Sequence, residues 1–72
     1  MTIQETVDLM IKSSDHNPYK GKLSSTDNII AAIELAKLCL DFAEKGQMDE
    51  AMNLDVFHWN EVIKQLLIKQ IN

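Results

Sequence analysis

The chain has 72 residues, 46% of them hydrophobic, and its seven lysines face eleven acids for a net charge of −4, with no arginine. That length holds one domain, and a domain this small buries only about 60% of the surface its unfolded chain exposes. An acidic chain without arginine lacks the basic footprint that drives binding to nucleic acid or to an anionic membrane. The single cysteine, Cys39, excludes an intrachain disulfide, so reinforcement has to come from helix packing, self-association or a partner.

The first helix is predicted over 2–14. Thr2 followed by Glu5 fits a capping box. Ile3, Val7, Met10 and Ile11 then form one apolar stripe at helical spacing. Asp8 and Lys12 stand four apart in the favourable order for an ion pair. Residues 15–24 read as a loop: Asn17-Pro18 disfavours helix, Gly21 tolerates positive φ, and Tyr19 and Leu23 are the apolar members that would fix it against the bundle.

The second helix is predicted over 26–45, with Asp27 near its positive end and Gly46 as the stop. Only Glu34, Lys37, Asp41 and Glu44 break its apolar surface, leaving one thin polar stripe. Ordinary surface helices are apolar over little more than about 100°. This one is expected to need cover on at least two sides. Residues 47–54 are expected to be an acidic turn.

The third helix is predicted over 55–71 with Asp55 as its N-cap. Val56, Trp59, Val62, Ile63, Leu66, Leu67 and Ile71 form its expected core face. Phe57 and Ile68 fall on the opposite side and could mark a contact surface. No alternating strand pattern occurs. The expected class is all-α, a small antiparallel three-helix bundle completed by self-association.

Candidate chemistry is sparse. Asp55, His58 and Glu61 recur at spacings of three, which suits half of a metal site; a closed site needs further ligands. The ordinary alternative makes Asp55 a cap and His58 a packing residue. His16 stands beside Asp15 with no convergent partner group, and Cys39 sits in mid-helix with nothing to activate it. No nucleophile–base motif is present, two glycines cannot build a phosphate loop, and no cofactor is implied. Asp49, Glu50 and Asp55 could dock a basic partner or imitate a phosphate backbone. The methionines Met10, Met48 and Met52 read as gap-fillers.

Leu35, Leu38, Phe42, Gly46 and Asp49-Glu50-Ala51 resemble the turn of a tetratricopeptide-type helical hairpin. The microtubule-interacting-and-transport bundle has similar wording there. The resemblance spans Leu35 to Met52 and implies shared hairpin mechanics, not membership. His58 and Trp59 stand where a second repeat helix would carry small residues, and no binding residues carry over.

The sequence therefore leads to a non-enzymatic protein-interaction module or regulator, of accessory or inhibitor type, acting as a helical homodimer on an unidentified protein. Ile30, Leu38, Phe42, Phe57, Trp59 and Ile68 are the expected interface. Neither nucleic acid nor membrane is expected as a partner. The opening residues lack a basic n-region and the longest apolar run, Ile29 to Ile33, cannot span a bilayer, so a cytoplasmic location with reduced Cys39 is expected. The alternatives are an oligomeric metal-binding or catalytic protein using Asp55, His58 and Glu61, and an acidic mimic that blocks a nucleic-acid-binding protein.

Overall fold

A computed structural model of the chain describes residues 1–15 and 25–71. Three α-helices make up the fold: α1 (Ile3–Asp15), α2 (Ser25–Glu44) and α3 (Val56–Ile71). Among the described residues there is no strand. Each helix packs against both others. The class is the expected all-α three-helix bundle. The 15–24 loop, with His16, Tyr19, Leu23 and Gly21, lies outside the described residues apart from Asp15, which ends α1.

Local chemistry sets the helix ends. At α1 the Thr2 N–H donates to Glu5 Oε1 at 2.9 Å and the Glu5 N–H donates to Thr2 Oγ1 at 3.1 Å. This reciprocal pair is the capping box that the sequence predicts. The expected Asp8–Lys12 pair is not made, since Asp8 accepts from the Gln4 side-chain amide at 3.0 Å instead. α2 stops one residue earlier than predicted, at Glu44. Gly46 then takes φ +78°. Its N–H donates to Ala43 O at 3.1 Å, and the Gln47 N–H donates to Phe42 O at 2.8 Å. Those two bonds are a Schellman motif, which needs a left-handed residue at Gly46. Lys45 lies just past the helix end and pairs with Asp41 at 2.9 Å. At α3 the Asp55 carboxylate accepts the His58 N–H at 2.8 Å, so Asp55 is the N-cap.

The turn between α2 and α3 closes a second time. The Asn53 N–H reaches Met48 O at 2.7 Å and the Met52 N–H reaches Asp49 O at 3.3 Å. Met52 and Asn53 both have φ near +57°. Left-handed backbone is unusual for a bulky residue and stores local strain. Ala51 is fully buried at the centre of this turn and its carbonyl receives the Trp59 indole N–H at 3.1 Å.

The core runs through Val7 and Met10 of α1, Ala32, Ile33, Ala36, Cys39 and Ala43 of α2, and Trp59, Val62 and Leu66 of α3, with Ala51 from the turn. Two expectations meet different outcomes. First, α2 receives the cover on two sides that was expected, from α1 and α3. Its buried seam is Ala32, Ile33, Ala36, Cys39 and Ala43, four of them small enough for a neighbouring helix to approach closely. Of its large apolar residues, Ile30 and Leu38 stay exposed. Second, Leu67 and Ile71 are not core residues. Both face outward, Ile71 with 85% of its surface exposed.

Candidate functional site

The candidate metal trio does not converge. Asp55 is committed to its own helix cap. His58, half-buried, turns away from it toward α1, where its Nε2 lies 2.8 Å from Thr6 Oγ1. The Thr6 hydroxyl also donates to Thr2 O at 2.9 Å. A hydroxyl has a single proton, so the Thr6 oxygen accepts and His58 Nε2–H donates. The His58 ring meets Trp59 edge to face, with centroids 6.4 Å apart. Among the described residues no group of three His, Cys, Asp or Glu side chains is placed to hold a metal ion. Asp55 and His58 thus take the ordinary packing roles.

Thr6 was not singled out from the sequence, yet it is fully buried and anchors the histidine. Its position was readable: it lies between Ile3 and Val7 on the apolar stripe of α1, a hydroxyl set in a core row. Cys39 is buried in α2, and burial pushes its thiol above the ordinary 9.0. A protonated, enclosed thiol is a poor nucleophile.

The acidic turn is open to water. Asp49 and Glu50 are exposed and, with Gly46, Gln47 and Met48, line a shallow depression on the surface. Asp55 is exposed but faces its cap.

The apolar candidates divide. Trp59 is a correction, because the monomer encloses it completely and it cannot belong to a surface. Phe42 is half-buried and packs against the core. Ile30, Leu38, Phe57 and Ile68 are exposed, and Leu67 and Ile71 join them. Successive helix residues turn by about 100°. On that wheel Phe57, Ile68 and Ile71 lie within about 40° of Lys64. The outward face of α3 thus carries exposed apolar residues at both ends of the helix, with the exposed Asn60 and Lys64 between them. On the outward face of α2, Ile30 and Leu38 flank Glu34, and the exposed Lys37 and Asp41 lie on the same side. Glu34 and Lys64 are both exposed, and among the described residues the ion pair within the chain is Lys45–Asp41.

Among the described residues no helix is long and apolar enough to cross a membrane. Compared with protein-family models, with curated proteins and with solved structures, the chain matches none.

Proposed function

We propose that this chain is a small non-catalytic interaction module that works as a helical homodimer and regulates another protein by binding it. The supporting observation is the outward face of α3, where Phe57 is 72% exposed near the start of the helix and Leu67, Ile68 and Ile71 are exposed near its end. Scattered surface apolar residues are ordinary. A set gathered on one helix face has a different cost, because water must order around all of it at once. Covering that face with a second copy buries it twice in a two-fold dimer. The sequence placed the need for cover on α2; in the folded chain the larger apolar surface is on α3.

The absence of a converging set of chemical groups, among the described residues, is consistent with a binding role but does not carry it. The test is sedimentation velocity across a concentration series, with Phe57→Asp and Ile68→Asp as variants. Dimer at micromolar concentration that both variants disperse, with helix content retained, supports the proposal. A wild-type monomer at about 100 μM, a concentration at which even a weak specific dimer is populated, overturns it.

A further inference from the structure

We propose that Met48 is an oxidation switch: a peroxide converts its thioether to the sulfoxide, and the sulfoxide opens the turn that seats Trp59. The switch rests on the fold of the single chain and is independent of the homodimer proposed above.

Exposure ranks the methionines. Met10 is 3% exposed, in the core, whereas Met52 is 37% and Met1 65% exposed. Met48 lies between. It is half-buried and packs against the core, yet it also lines the open depression with Gly46, Gln47, Asp49 and Glu50. Oxidation follows access from water. Met1 and Met52 are the readier targets, but their sulfoxides remain in solvent and cost the fold little. Met10 is protected by depth. Of the four methionines in the chain, Met48 combines a route from water with a contact to the core.

The reaction is a two-electron oxygen transfer. A sulfur lone pair attacks one oxygen of hydrogen peroxide, the O–O bond breaks and an S=O bond forms. The other oxygen leaves as water with both protons, so the sulfur is oxidised and the peroxide reduced. The product is polar where the thioether was apolar. Held against the core it loses its hydration, so the side chain is driven out toward the depression and draws its backbone with it.

Hydrogen bonds fix what that movement releases. The Met48 carbonyl accepts the Ala51 N–H at 3.0 Å and the Asn53 N–H at 2.7 Å. Ala51 is fully buried, and its carbonyl receives the Trp59 indole N–H at 3.1 Å. Ala51 thus links Met48 to the bulkiest side chain of the core. Met52 and Asn53 are both held at φ +57°, so the turn closes against a conformational cost and gains by opening.

Graded hydrogen peroxide on the full chain tests this. Peptide mapping by mass spectrometry locates each added oxygen, Cys39 included, while Tm and Trp59 fluorescence are followed. Met1 and Met52 are expected to oxidise first without change in Tm. Met48 follows, lowering Tm by about 5 °C or more and shifting Trp59 emission to the red. Met10 reacts last. Met48→Leu, which keeps the side-chain volume, should hold its Tm through the same treatment, and Met52→Leu should lose as much as wild type. A methionine sulfoxide reductase should restore Tm as it returns Met48 to the thioether. The switch is overturned if Met48 oxidises no faster than Met10, or if its sulfoxide leaves Tm unchanged. Resistance conferred by Met52→Leu in place of Met48→Leu, or a Tm that stays low after repair, overturns it equally.

Discussion

Thr6 on α1 and His58 on α3 meet at 2.8 Å across 52 positions of sequence, joining the first helix to the last. Thr6 is fully buried and its hydroxyl proton is used on Thr2 O. In its neutral form His58 is therefore the Nε2–H tautomer. Nitrogen NMR of the neutral imidazole should show that tautomer. Thr6→Val keeps the shape of the side chain but leaves the His58 donor without its acceptor. The expected cost is about 1–3 kcal/mol of unfolding free energy. A double-mutant cycle with His58→Leu should recover part of that loss, because no orphaned donor remains.

Trp59 carries the largest single packing contribution. It is the bulkiest fully buried side chain, and its N–H ends on the carbonyl of Ala51 in the turn. Trp59→Ala should cost about 3–5 kcal/mol by chemical denaturation, enough to threaten so small a domain. Trp59→Phe separates volume from hydrogen bonding. Ala51 O also receives the Leu54 N–H at 3.1 Å, so it is not left bare. The lost indole bond should then add only about 1 kcal/mol to the cost of the smaller ring.

The parts of the fold that were legible in the sequence are those settled within a few residues. Thr2 with Glu5, Asp55 before α3, and Gly46 after α2 each satisfy backbone groups locally, and their residue types announce it. The Thr6–His58 contact was not legible, because it depends on which helices become neighbours. The exposure of Ile71 has a simpler origin: it lies about 20° from Lys64 on the wheel, on the side of α3 away from Trp59, Val62 and Leu66. The cover of α2 was legible in part: its composition called for neighbours on two sides, while which of its large residues, Ile30 and Leu38, stay exposed depended on where α1 and α3 lie. For the candidate site, spacing located Phe57 and Ile68.

Gly46 offers a test of backbone strain without steric complication. Its φ is +78°, and a Cβ added there would meet nothing within 4 Å. Gly46→Ala should therefore destabilise by about 1 kcal/mol through the left-handed conformation alone. Met52 is the converse, a non-glycine residue held at φ +57°. Met52→Gly relieves that strain while loosening the unfolded chain, so its expected effect is small, within about 1 kcal/mol of wild type. Thermal melts of the two variants should differ in that order, with Gly46→Ala the less stable.

Glu5 gives the bundle an acid-sensitive end. Its carboxylate accepts the Thr2 N–H, and this bond, with help from the Thr2 side chain, holds its carboxyl below the ordinary 4.5. A depressed folded value means that the charged form is favoured by folding. The stabilisation is then complete above about pH 4.5, the unfolded value, and is lost as pH falls through the lower folded value. Glu5→Gln keeps an acceptor but does not titrate. The melting temperatures of wild type and Glu5→Gln should differ at neutral pH and converge as the solution is acidified below 4.5. Thr2→Ala removes the hydroxyl half of the capping box and should move the Glu5 carboxyl, followed by NMR, back toward 4.5. A Glu5 midpoint at or above 4.5 in the folded wild type would show that the capping box is not formed in solution.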